Sequence, residues 1–275
     1  MIKLSLAIQT PEVEPLLPVA LLSGTFEEKL QKAAGCGAEG VELMSTNPSQ
    51  LDAEKIRRQL KQHGLEAAAV SSGGMAAAGL TLLHADPLRA SQARSRLNLL
   101  IEFAARVGAP LVTVGGFRGR LASLPGGQGE EILAQILNQA ADLGARQGVR
   151  LVIEPLNRYE TDFIRTAEQG LALISRLGNP SLGLLLDTFH VNIEERSWTE
   201  PFERALAAGK LWHVHLGDNN RLPPGCGLID FRAIAAVLSA RGYHGFLSAE
   251  LLAQPDPDQA ARLTIQYMKG LSYAA

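Results

Sequence analysis

Four apolar, strand-like runs in the second half of this sequence each end on a side chain that can bind a metal or carry a proton. LVIE ends on Glu154, LGLLLD on Asp187, LWHVH on His215 and FLSAE on Glu250. Together they form an oxygen-rich donor set with one imidazole and no thiolate. Such a set suits one divalent ion, with Mn²⁺ favoured and Mg²⁺, Co²⁺ or Zn²⁺ also able to use it. Were each acid buried separately, each would need its own cation, because an unpaired buried carboxylate is costly. His213 and His215 are two apart and share a strand face. His215 lies nearer the strand's C-terminal end and is the better ligand, so His213 is expected one layer below, held by a hydrogen bond.

Residues converge in this way only if their strands lie side by side and in parallel. Strand-like runs begin at Lys3, Gly40, Leu65, Leu111, Leu151, Leu182, Leu211 and Phe246. Stretches such as FEEKLQKAA, AEKIRRQLKQ, RSRLNLLIEFAARV, EEILAQILNQAADLGARQ, AEQGLALISRL, FRAIAAVLSA and DQAARLTIQYMKGL repeat their apolar residues at the helical spacing. Strands apolar on both faces and followed by helices suit a parallel sheet covered by helices. Eight β-then-α units of about 30 residues predict a single (β/α)8 barrel over residues 1–275. An open doubly wound sheet is the alternative, but no strand here runs into a G-x-G-x-x-G turn. Gly64, Gly108, Gly148, Gly178 and Gly242 stand where helices should stop. The loop from Gly115 to Gly129 follows strand four on the catalytic face. It is expected to be a mobile cover, since it lacks the Lys-Ser/Thr of a phosphate loop.

Composition excludes several classes. With 26 Lys+Arg against 28 Asp+Glu the net charge is −2, which offers no global attraction for nucleic acid or anionic membrane. Cys36 and Cys226 are far apart and lack metal-type spacing, so a reduced, cytoplasmic protein is expected. The start has no signal-peptide pattern. The LLPVALL run from Leu16 is short and interrupted by Pro18, a loop or packing segment rather than a membrane span.

EPLNRYET, LDTFHVNIEE, HVHLGDNNRLPPGCGLIDF and the final AEL resemble the sugar isomerase/epimerase proteins of the xylose-isomerase-like barrel superfamily. The likeness is nearest to the D-tagatose, D-psicose and L-ribulose 3-epimerases. It is specific from Leu151 to Leu252 and only architectural before that. It implies that Glu154, Asp187, His215 and Glu250 hold the metal, that Glu154 and Glu250 also exchange the substrate proton, and that Glu160, His190 and Arg221 bind substrate. It also implies a small-molecule sugar or sugar phosphate as partner and a homodimer or homotetramer.

Other classes share parts of this pattern. AP endonucleases of the same superfamily match at Glu154, Asp187, His190, His215 and Glu250, but need further histidines. AVSSGG, TVGGF and GDNNRLPPGCGLID contain none. An aldose–ketose isomerase of hydroxypyruvate-isomerase type, an inosose-type dehydratase and a non-catalytic sugar-binding barrel remain. Both carboxylates speak against the last. Gly115 and Gly116 stand where the epimerases carry an aromatic residue, and Arg118 and Arg120 hint at an anionic substrate. Arg158 and Asp218 are expected to brace the loops of the mouth. Glu194 and Glu195 are expected at a solvated helix start, His84 at another helix start, and Trp198 and Trp212 in the core.

Overall fold

The computed structural model describes residues 2–14 and 16–271, apart from the side chain of Pro125. Eight strands form a closed parallel barrel: β1 (Lys3–Gln9), β2 (Gly40–Met44), β3 (Glu66–Ser71), β4 (Leu111–Val114), β5 (Arg150–Ile153), β6 (Leu182–Asp187), β7 (Leu211–Leu216) and β8 (Phe246–Ala249). Each strand pairs with the next, and β8 pairs back to β1 through Lys3 opposite Phe246 to Leu6 opposite Ala249. That closure removes the open-sheet alternative.

The outer layer is built from helices with legible boundaries. They are α1 (Phe26–Cys36), α2 (Ala53–Gln62), α3 (Gly73–Ala77), α4 (Pro87–Val107), α5 (Gly129–Arg146), α6 (Ala167–Leu177), α7 (Thr188–Glu194), α8 (Glu200–Ala207), α9 (Phe231–Ala240) and α10 (Pro257–Gly270). Thr25 and Glu28 form a reciprocal capping box at α1, and the Asp86 carboxylate caps α4 just before Pro87. The five predicted helix-stop glycines all have positive φ. At Gly108 (φ 84°), the N–H closes α4 onto Ala104 and Ala105 in a conformation that costs glycine little.

Three helices escaped the periodicity reading. α3 and α7, of 5 and 7 residues, are too short to repeat an apolar stripe twice, and α8 carries its stripe over only 8 residues.

Strand alternation divides the barrel interior into two halves. Ala69, Leu111, Val152 and Leu185 form an apolar cluster with Trp212 packed against it. Buried Ser5, Glu42, His213 and Ser248 come from the other strands. A register shift between Leu184 and Leu185 sets Trp212 over Gly183, where a Cβ would meet the ring at 2.3 Å. The Arg150 guanidinium lies 4.3 Å from that ring. Trp198 packs on the main core and donates to Asn192 Oδ1. No helix among the described residues is long and apolar enough to cross a membrane.

Candidate active site

Asp187 and His215 stand opposite each other on β6 and β7, while Glu154 and Glu250 follow β5 and β8 directly. All four are buried, and their ligand atoms lie within 4.8 Å of one another. His215 Nδ1 sits between the two glutamates, 3.4 Å from Glu154 Oε1 and 3.3 Å from Glu250 Oε2. Asp187 divides its oxygens between two tasks. Oδ1 accepts from the Phe189 N–H at 2.7 Å and caps α7, while Oδ2 has no hydrogen-bond partner.

Glu154 Oε1 and His215 Nδ1 also lack hydrogen-bond partners. Three ligand-type atoms without hydrogen-bond partners in a buried cluster make the donor set fit for a divalent cation.

The cluster is electrostatically crowded. Burial, followed by the nearby carboxylates, raises Asp187 to about 7. Burial likewise raises Glu154 despite His215. Burial also works against ionised Glu250, but His215 and Arg221 outweigh it and hold its carboxyl below the usual range. Arg221 donates toward Glu160 at 3.3 Å, lies 3.5 Å from Glu250 Oε2, and spreads its guanidinium 4.9 Å from the Phe189 ring.

Arg221 occupies a left-handed backbone conformation (φ 59°), unusual for a bulky residue. Its loop is held by the buried Asp218 carboxylate, which accepts from the N–H groups of Asn219, Gly225, Gly227 and Ile229. The expected brace is therefore present, made through the backbone rather than a salt bridge.

His190, on the first turn of α7, is 2% exposed. Its Nδ1 accepts from the backbone N–H of Asn157 at 3.3 Å and lies 2.8 Å from that residue's side-chain nitrogen. The neutral ring must therefore carry its proton on Nε2, which faces Glu154 and Asp187 at 4.0 Å from each. Burial, with Arg221 second, keeps His190 well below its ordinary pKa and hence neutral. Glu160 accepts from Asn157 at 2.9 Å. The predicted substrate residues Glu160, His190 and Arg221 thus share one cavity with Glu154 and Glu250.

A family model described as xylose isomerase-like TIM barrel matches residues 30–271. The chain belongs to this family. A ketose 3-epimerase of Arthrobacter globiformis is 31% identical over 223 residues, covering 78% of this chain and 74% of its own. An L-ribulose 3-epimerase of Methylomonas sp. strain DH-1 is also 31% identical, over 222 residues, covering 79% and 75%. A solved L-ribulose 3-epimerase superposes with a TM-score of 0.79 at 26% identity, covering 98% of this chain and 95% of its own. The resemblance carried by EPLNRYET and LDTFHVNIEE is borne out at the level of family.

Several particular expectations for this xylose isomerase-like barrel need correction. Arg118 is neither solvated nor turned to the cavity. It is 1% exposed and donates to the carbonyls of Gly115, Glu154, Phe163 and Ile164, clamping the loops behind β4 and β5. Arg120 donates to the Tyr159 carbonyl. The 115–129 loop is tied down by these contacts and by the Asp162 carboxylate on the N–H groups of Leu121 and Ala122. Among the described residues of that loop, only Gly115 and Gly116 line the cavity.

Glu194 and Glu195 lie at the C-terminal end of α7, not at a helix start. Glu194 accepts from Arg158, and Glu195 from the Ala167 N–H. His84 is where it was expected, accepting from the N–H of Asp86 at the start of α4. His213 does sit below the site, hydrogen-bonded to Glu42.

Two residues of the site were not singled out from sequence. Glu42 looks like an ordinary member of GVEL, although a charged residue inside a strand buried throughout was the signal. Asn157 was visible in EPLN, but its partner His190 is 33 positions away.

The bare backbone at Gly115 matters for geometry. A Cβ there would come within 2.2 Å of Glu154 Oε2, the movable end of that side chain. Gly115→Ala is therefore expected to displace the carboxylate rather than the barrel. Catalysis should fall roughly 100-fold for a displacement near 1 Å, with the melting temperature close to wild type. An equally active variant would show that the Glu154 position is unimportant.

Proposed function

We propose that this chain is a divalent-metal-dependent ketose epimerase, acting by proton transfer next to the carbonyl, with inversion at C3 favoured. The observation that carries this reading is the pair Glu154 and Glu250, set on either side of the same His215 nitrogen. Epimerisation removes a proton from one face of a carbon and returns one to the other. Two carboxylates flanking the substrate meet that need as base and acid, exchanging roles with the direction of reaction. Relatives named as ketose and L-ribulose 3-epimerases support the choice of substrate class.

Glu154, Asp187, His215 and Glu250 would hold the ion. When bound, it would supply positive charge against the negative charge that develops on the substrate oxygens. His190 offers its Nε2–H to a substrate oxygen, and Glu160 accepts from a hydroxyl. Arg221 restrains Glu250 and donates from the open side. It is the only cation among the described residues lining the cavity, and Glu160 and Glu250 already engage it. That favours a free sugar over a phosphorylated one.

The test is incubation of metal-stripped protein, restored with Mn²⁺, with a panel of ketoses in D₂O. Deuterium at C3 together with the new diastereomer is the expected result. Deuterium at C1 or C2 with aldose formation would make the enzyme an isomerase, and loss of water would make it a dehydratase. No exchange with any free ketose would sink the proposal.

A further inference from the structure

Glu42 lies in the middle of β2 and is fully buried, with no lysine or arginine among the partners of its carboxylate. It reaches instead to β7, across two intervening strands of the barrel. Its Oε2 is 2.8 Å from His213 Nε2 and 3.0 Å from His215 Nε2, and its Oε1 is 3.1 Å from His215 Nε2. The strands between, β1 and β8, contribute Ser5 and Ser248, which are buried and opposite each other in register. Larger side chains there would crowd the path from Glu42 to the histidines.

An ionised carboxylate can only accept hydrogen bonds. Each Nε2 must therefore carry a proton, so Nδ1 is the one ring nitrogen left for another partner. In His215 that nitrogen lies between Glu154 and Glu250. Glu42, His213 and His215 also bring ligand atoms within 4.8 Å of one another. Their contacts are nevertheless of N–H···O length and leave both Nε2 atoms occupied by protons, so a second ion is not the better account.

We propose that Glu42 is the positioning residue of this site, holding His215 in the Nε2–H tautomer so that Nδ1 is presented as a lone pair to the catalytic cluster. The inference rests on the reading of His215 as a metal ligand. A ligating imidazole is generally oriented by an acceptor on its other nitrogen, and loss of that acceptor weakens metal binding. Glu42 supplies the acceptor from the far side of the barrel. By accepting from His213 as well, it fixes the layer beneath the site.

Glu42→Gln preserves shape but replaces one accepting oxygen by an NH₂ group. Facing both rings, it must set a donor against an Nε2–H or force one imidazole to move its proton to Nδ1. Two readouts separate this from a merely structural role. Imidazole ¹⁵N NMR of the metal-free full chain should show that His215 carries a proton on Nε2, and that Glu42→Gln disturbs this state. Mn²⁺ binding followed by electron paramagnetic resonance should weaken by roughly 10- to 100-fold in Glu42→Gln. His213→Gln keeps an N–H donor toward Glu42 and should bind Mn²⁺ much as wild type does.

A wild-type His215 without a proton on Nε2 would overturn the proposal without any variant, even if Glu42→Gln failed to fold. Unchanged Mn²⁺ affinity in a folded Glu42→Gln protein would also overturn it. Wild-type protein that binds no Mn²⁺ would overturn both the metal reading and this one. The NMR result would still report how Glu42 orients the ring.

Discussion

Glu154→Gln and Glu250→Gln are each expected to lower the epimerisation rate by roughly 10³-fold, within the range for loss of a positioned general acid or base. The pattern of residual exchange is more telling than the size of the loss. In the proposed mechanism each glutamate serves one face of the substrate carbon, so each variant would keep the carboxylate on the other face. With one epimer, a given variant should still wash deuterium in from D₂O and return the same epimer. With the opposite epimer it should exchange nothing. The two variants should show opposite preferences. Gln keeps a carbonyl oxygen at the same reach, so a gross loss of the ion is not the expected cause. Equal exchange of both epimers by either variant would mean that a single base serves both faces, and the two-carboxylate assignment would fall.

The second large effect concerns stability without and with metal. Asp187 is fully buried beside Glu154 and Glu250, and in the metal-free chain burial raises it from an ordinary 3.8 to about 7. A carboxyl whose folded pKa is raised contributes stability that is complete below its unfolded value and lost as pH climbs through the folded one. The metal-free protein should therefore weaken between about pH 4 and pH 7. Asp187→Asn removes this ionisation and keeps the cap on α7, since asparagine caps helices as well as aspartate. At pH 8 metal-free Asp187→Asn should melt no lower than wild type.

Metal should reverse the order. At an Mn²⁺ concentration of 100 Kd, wild type gains about 2.7 kcal/mol. At roughly 2 °C per kcal/mol for a chain of this size, that is about 5 °C. Asp187→Asn should gain far less at the same concentration. Thermal melts at pH 5 and pH 8, with chelator or Mn²⁺, check all four corners. A wild-type melting point indifferent to Mn²⁺ would remove the ion from the mechanism.

Much of this could be read from the sequence by itself. The barrel was legible because strand and helix periods alternate eight times and glycine marks several helix ends, all local properties of the chain. The four-residue donor cluster was legible for the same reason. In a parallel barrel the strand ends converge on one face, so Glu154, Asp187, His215 and Glu250 could be grouped from their positions at those ends.

What the sequence left open depends on which side chains meet across the barrel. Arg118 could equally have been a solvated or substrate-facing arginine until the fold placed four backbone carbonyls around it. Glu194 and Glu195 lie at the far end of a helix too short to announce itself. Glu42 and His215 are 173 positions apart, and no local pattern records that one carboxylate sets the tautomer of the other's ring. Periodicity determines which face of an element is buried, but only closure of the barrel decides which buried polar atoms become partners.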